Sequence, residues 1–125
     1  MTLALLLASG VALAATINGT NGADFLVGTR QADTIKGFRG DDIIGGKDGA
    51  DTLRGYEGND ITDGQAQSDT LTGGPGRDNI ITGPGSEDAV FAEDGQQDLI
   101  CIDPRSGATV ESDDDEDILI SSNSC

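Results

Sequence analysis

The chain has 125 residues, with 23 Asp and Glu against 7 Lys and Arg, no His, no Trp, three Phe and one Tyr. A formal charge of −16 disfavours nucleic acid and anionic membrane surfaces as partners. The missing His excludes imidazole metal sites and His-dependent catalytic triads. Oxygen donors remain, and those suit hard cations.

Leu3 to Ala15 is an apolar stretch too short to cross a bilayer, and it ends in the small-x-small run Ala12-Leu13-Ala14. Residues 1–14 therefore read as a secretory leader cut after Ala14, although no Lys or Arg precedes Leu3. The competing reading is a buried N-terminal helix.

From there a fixed period takes over. Asp24, Asp33, Asp42, Asp51, Asp60, Asp69 and Asp78 fall nine residues apart without a slip. Five residues before each stands Gly19, Gly28, Gly37, Gly46, Gly55, Gly64 or Gly73. Two residues before each stands Gly22, Gln31, Gly40, Gly49, Gly58, Gln67 or Gly76. Two residues after each stands Leu26, Ile35, Ile44, Leu53, Thr62, Leu71 or Ile80.

A short strand following each Asp, with its middle residue inward, accounts for the single apolar position. Glycines at the bends suit backbone at positive φ. Two units, 18 residues, then close one flattened coil, and successive coils stack as parallel strands about 4.8 Å apart. The expected fold is all-β: a right-handed parallel β-roll with two nonapeptides per coil.

The segments Gly46-Lys47-Asp48-Gly49-Ala50-Asp51-Thr52-Leu53-Arg54 and Gly73-Gly74-Pro75-Gly76-Arg77-Asp78-Asn79-Ile80-Ile81 carry a resemblance. They are similar to the unit G-G-x-G-x-D-x-U-x of the repeats-in-toxin (RTX) family. The resemblance spans regular repeats over 19–81. It implies calcium ions between the turns of adjacent coils, held by the Asp side chains and by backbone carbonyls of the Gly-rich turns.

Turns on one side recur every 18 residues, so the Asp residues form two columns. The first holds Asp24, Asp42, Asp60 and Asp78, with Gly19, Gly37, Gly55 and Gly73 and a complete set of turn glycines, Gly22, Gly40, Gly58 and Gly76. The second holds Asp33, Asp51 and Asp69, with Gly46 and Gly49, but Gln31 and Gln67 stand where glycine would. Side chains are disfavoured at positive φ, so the first column is expected to bind more tightly. Pairing neighbours gives three sites there and two in the second column, about five calcium ions in all. Aligned carboxylates over a thin core also imply that the roll folds and is stabilised on calcium binding.

Past Ile81 the period slips, but Asp88-Ala89-Val90, Asp98-Leu99-Ile100 and Asp117-Ile118-Leu119 repeat the Asp-x-aliphatic pulse. The β-roll is therefore taken over 15–91, and 92–125 as a degenerate repeat with a C-terminal cap. The two cysteines, Cys101 and Cys125, read as a disulfide pinning that cap in an exported chain. The placement is similar to short secreted relatives ending in a Cys-bounded segment. The run Asp113 to Asp117 lacks the glycine of an EF-hand loop and reads as a solvated acidic loop.

Beside the first column lie Phe25, Ile43 and Ile61, a face for a protein partner or self-association, although β-propensity alone accounts for them. Beside the second lie Thr34, Thr52 and Thr70. With no His, no G-x-S-x-G and no metalloprotease motif, the expected function is a non-catalytic, secreted, extracellular calcium-binding module. The alternatives are an adhesin or matrix fragment acting through a partner, or an accessory module derived from a secreted enzyme. Neither nucleic acid binding nor membrane insertion is expected.

Overall fold

A computed structural model describes residues 13–92, 94–113, 117–123 and 125. Most of the expected leader, residues 1–12, lies outside them, as does the centre of the acidic run, 114–116. The described residues form strands and turns with no helix, and so none long and apolar enough to cross a membrane.

The strands are β1 (Thr16–Asn18), β2 (Phe25–Val27), β3 (Thr34–Arg39), β4 (Ile43–Asp48), β5 (Thr52–Glu57) and β6 (Ile61–Ala66). They continue as β7 (Thr70–Thr72), β8 (Asn79–Ile81), β9 (Ala89–Ala92), β10 (Leu99–Ile102), β11 (Thr109–Ser112) and β12 (Ile118–Ser121). Odd-numbered strands make one six-stranded sheet and even-numbered strands the other. Every pairing is parallel. This is the parallel β-solenoid expected, two nonapeptides to a coil: Thr16 pairs with Thr34, Thr34 with Thr52, Phe25 with Ile43, and Ile43 with Ile61, each 18 residues on.

The slipped segments join the same stack. Thr70 pairs with Ala89, Asn79 with Leu99, Ala89 with Thr109, and Leu99 with Ile118. Each extra residue is absorbed in a turn, so the inward face is kept. That retention is required, because a one-residue slip within a strand would turn its apolar residue outward.

Between the sheets run two files of inward side chains. Ile17, Ile35, Leu53, Leu71 and Val90 come from one sheet; Leu26, Ile44, Thr62, Ile80 and Ile100 come from the other, and all are buried. At the C-terminal end Leu119 continues the second file but is 52% exposed, with Ile118 and Ile120 exposed beside it. A disulfide joins Cys101 on β10 to Cys125, with Cα atoms 5.6 Å apart.

Thr62 breaks the apolar file. It is fully buried, and its Oγ1 has no hydrogen-bond partner. Removing such a hydroxyl without changing side-chain shape relieves a desolvation penalty. Thr62→Val is therefore expected to raise stability by about 1–2 kcal/mol, read as a higher denaturant midpoint of the calcium-loaded protein. A lower midpoint would mean that the hydroxyl is satisfied in solution.

Candidate metal centre

Each aspartate sits at the corner where a turn enters a strand, and its carboxylate points inward. Asp24, Asp33, Asp42, Asp51, Asp60, Asp69, Asp78, Asp88 and Asp98 are all at most 4% exposed. Burying so many carboxylates is costly unless each is bonded. From Asp33 onward, one oxygen of each is bonded in the same way. The backbone N–H of Asp24 donates to Asp42 Oδ1 at 2.8 Å, that of Asp42 to Asp60 Oδ1 at 2.8 Å, and that of Asp60 to Asp78 Oδ1 at 2.8 Å. The other column matches, from Asp33 to Asp51 at 2.7 Å and from Asp51 to Asp69 at 2.9 Å. Both columns extend past the regular repeats: Asp69 donates to Asp88 Oδ1 and Asp78 to Asp98 Oδ1.

The second oxygen is a different matter. Oδ2 of Asp42, Asp51, Asp60, Asp69, Asp78, Asp88 and Asp98 is buried with no hydrogen-bond donor. At the first turn of each column the chain supplies its own donors. Thr20 gives its backbone N–H and, at 2.9 Å, its hydroxyl to Asp24 Oδ2. Thr29 does the same for Asp33 Oδ2, the hydroxyl standing at 3.0 Å.

The glycines divide into two kinds. Gly40, Gly49, Gly58 and Gly76, two residues before an Asp, have positive φ as expected. Gly22, however, is not among the positive-φ residues, and neither is Gln31. The turns entered through Thr20 and Thr29 follow a different backbone path. Gln67 does take the left-handed backbone, at φ 82°, which a side chain resists.

In the regular repeats the glycines five residues before the Asp, Gly19, Gly28, Gly37, Gly46, Gly55, Gly64 and Gly73, are not in the left-handed region, contrary to the expectation that all turn glycines serve a positive φ. They are glycine because of crowding. A Cβ on Gly37 would overlap Asp42 Oδ2 and stand 2.8 Å from the carbonyl oxygen of Gly55 in the next coil. Gly46 meets Asp51 Oδ2 and Gly64 O in the same way, and Gly55 meets Asp60 Oδ2 and Gly73 O. The missing side chain thus lets a carboxylate oxygen and a carbonyl oxygen from adjacent coils crowd one glycine.

Burial pushes these carboxyls upward against the pull of the backbone N–H bonds, and neighbouring carboxylates in the column add to the rise. Asp51, Asp60 and Asp98 rise to about 6, Asp78 to about 7 and Asp69 to about 8, with Asp42 and Asp88 raised as well. A hard divalent cation fits this donor set. The open ligands are anionic oxygens, with carbonyl oxygens close by, and nitrogen and sulfur donors are missing. Among the described residues no three His, Cys, Asp or Glu side chains gather at one point, so backbone carbonyls would have to complete any shell.

The RTX calcium-binding nonapeptide repeat model matches four overlapping copies, over residues 18–53, 46–71, 54–86 and 63–95. The chain belongs to this family. No curated protein and no solved structure matches it. The RTX repeats account for the Asp columns and Gly-rich turns, and their calcium-binding character agrees with the buried carboxylate oxygens. The matched span includes Asp88, which lies outside the unbroken nine-residue period.

Asp88 and Asp98 are the members of the array that period-counting misses. The signal for them was the Asp-x-aliphatic pulse, which survives when the turn lengthens. Thr20 and Thr29 are likewise unmarked in the repeat, because their role depends on the turn's backbone path.

The raised carboxyls fix a pH dependence for the metal-free form. Unfolded Asp titrates near 3.8, whereas Asp51, Asp60, Asp98, Asp78 and Asp69 of the folded columns rise to about 6 to 8. The folded state therefore holds protons more tightly, and the associated stability is present below pH 4 and lost as pH rises through 6 to 8. In chelator, the circular dichroism β-signal is expected to be stronger at pH 5 than at pH 8. Loss of β-signal on acidification over that range would contradict it.

Proposed function

We propose that this chain is a secreted, extracellular, non-catalytic calcium-binding RTX β-roll that becomes rigid when calcium enters both Asp columns. The observation that carries the reading is the set of seven buried Oδ2 atoms without donors. In this reading Asp42, Asp60 and Asp78, with Asp98, hold ions in one column through Oδ2. Asp51, Asp69 and Asp88 hold them in the other. Carbonyl oxygens of the Gly-rich turns complete the shells. The bound ion supplies charge neutralisation and a cross-link between coils.

Asp24 and Asp33 have a weaker claim than the repeat alone suggests, because threonine donors already occupy their Oδ2 atoms. The column of Asp42, Asp60 and Asp78 is taken as the tighter one. Its turn glycines adopt positive φ freely, whereas Gln67 sits strained in the other.

We further propose a leader over 1–14 with cleavage after Ala14, a β-roll over 15–91 and a C-terminal cap over 92–125 tied by Cys101–Cys125. A second reading, a module acting through a protein partner or its own copy, is favoured by one feature. Phe25, Ile43 and Ile61 stand in register on one sheet face, 47%, 44% and 38% exposed, beside a groove of about 230 Å³.

Asparagine substitutions separate ligand from scaffold. Asp60→Asn keeps Oδ1 as the acceptor for Asp42 N–H but removes the charge. It is expected to raise the calcium concentration for half-maximal folding roughly tenfold, about 1.4 kcal/mol, while leaving the chelated form no less ordered. Asp24→Asn is expected to leave the calcium midpoint within about twofold, because its carboxylate already has donors. Equal calcium dependence of Asp60→Asn and wild type, followed by circular dichroism during titration, would overturn the assignment.

A further inference from the structure

We propose that the odd-stranded sheet carries a binding site for a short acidic saccharide, built from Tyr56, Phe91, Thr70, Thr72 and Arg54, with Lys36 beside it. The site is distinct from the calcium columns, which face inward.

The chain has only four aromatic residues, and none of them joins the buried core. Phe25 lies on the even-stranded face; the other three line cavities on the odd-stranded side. Phe38 and Tyr56 are stacked, with ring centroids 5.6 Å apart. Both sit at positive φ, 83° and 76°, at the turn position four residues before an Asp. Bulky side chains are disfavoured there by about 1–2 kcal/mol. Gly74 holds the equivalent place in the next coil, at φ 101°. Folding gains little from rings that are strained, partly exposed and outside the core. Lys47 and Gln65 take the same backbone in the other column, at φ 84° and 69°, so the left-handed turn belongs to the repeat, and what sets Phe38 and Tyr56 apart is a stacked pair of rings held on the surface.

Gly74 also explains the cavity. Where a third ring would continue the stack there is no side chain, and a Cβ would strike the Tyr56 backbone. The gap is a cleft of about 360 Å³, lined by Arg54, Tyr56, Thr70, Thr72, Pro75 and Phe91. That is the size of a small-ligand site. Thr70 and Thr72 flank the inward Leu71, so both project their hydroxyls outward.

Charge decides the ligand class. Lys36 and Arg54 are register partners on β3 and β5, side by side on the same face. Among the described residues neither has an acidic group within ion-pair distance, although Arg39 reaches Glu57 at 3.2 Å on the same side. Two adjacent unpaired cations in a chain of charge −16 form a local positive spot. Apolar C–H faces of a sugar ring fit against an aromatic wall, hydroxyls meet Thr70 and Thr72, and a ring carboxylate meets the Arg54 guanidinium.

The test uses the full calcium-loaded protein and a trisaccharide of uronic acid, with a neutral glucose trisaccharide as comparator, followed by NMR shift mapping. Expected are saturable shifts at Arg54, Tyr56, Thr70 and Thr72 with the uronate, and binding by the neutral sugar at least roughly tenfold weaker. Tyr56→Gly relieves the left-handed strain while deleting the ring. It should fold at a calcium concentration no higher than wild type yet weaken uronate binding roughly tenfold, and Arg54→Gln should weaken it as much while leaving the calcium titration unchanged. Lys47→Gly, which relieves the same backbone strain at the corresponding turn position of the other column, should leave uronate binding unchanged.

Absence of saturable shifts, equal affinity for the neutral sugar, or undiminished binding by Arg54→Gln would overturn the proposal. The last result would point to a calcium ion bridging sugar and turn carboxylates. The calcium titration of the same variants reads the RTX function separately, so failure of one assignment is not mistaken for failure of the other.

Discussion

The molecule depends on how one carboxylate divides its two oxygens. Oδ1 of each column Asp takes a backbone N–H from the preceding coil, and this sets the side chain's position so firmly that Oδ2 is buried whether or not anything awaits it. The same residue's carbonyl accepts from the following coil: Ile61 N–H reaches Asp42 O and Thr70 N–H reaches Asp51 O, both at 2.8 Å. Asp is thus a rivet in the stack before it is a ligand. A neutral residue could serve as the rivet, but only a carboxylate also leaves an anionic oxygen aimed at its neighbours.

That arrangement accumulates charge with every coil added, so it needs a way to stop. At the start, Thr20 and Thr29 replace a cation with two donors each. Towards the end of the odd-stranded side, Asp103 sits in a turn whose Arg105 grips its carboxylate at 2.6 Å. The guanidinium hydrogen bonds pull Asp103 down to about 2. Ser106 from the same turn tempers the rise of Asp88, whose Oδ2 stays without a donor. The chain's own donors therefore neutralise carboxylates on either side of the donorless stretch of this column. On the even-stranded side, Asp94, Asp117 and Asp113 add to the rise that burial gives Asp98.

The period made the coil, the register and the inward file legible from the residues alone. All seven inward residues of the regular repeats are buried, Thr62 included. The Cys101–Cys125 bond was also legible, as an even pair of cysteines in a chain read as exported. Less legible was anything carried by turn conformation. One rationale, positive φ, was expected to cover every turn glycine, but Gly37 and Gly55 answer to a carboxylate and a carbonyl in space, which no linear pattern displays. Thr20 and Thr29 escaped notice because a threonine beside a glycine signals a cap only once the path of the turn is known. Asp88 and Asp98 fell out of the count because the register tolerates an inserted residue in a turn, while period-counting does not.

This division of labour explains why the outer surface varies while the interior repeats. Inward positions are fixed by a space that admits one aliphatic side chain, one carboxylate and a bare glycine per unit. The outward positions have no such constraint, and each recurs every 4.8 Å or so up a flat face. One face bears Thr16, Thr34, Thr52 and Thr70 in register; the other bears Phe25, Ile43 and Ile61. Under the proposed function, ions held inside would stiffen both faces at once, so that ordering of the interior and presentation of a surface would be one event. A roll that stacks only on cation binding keeps its outer residues dispersed where calcium is scarce and brings them into rows where it is plentiful.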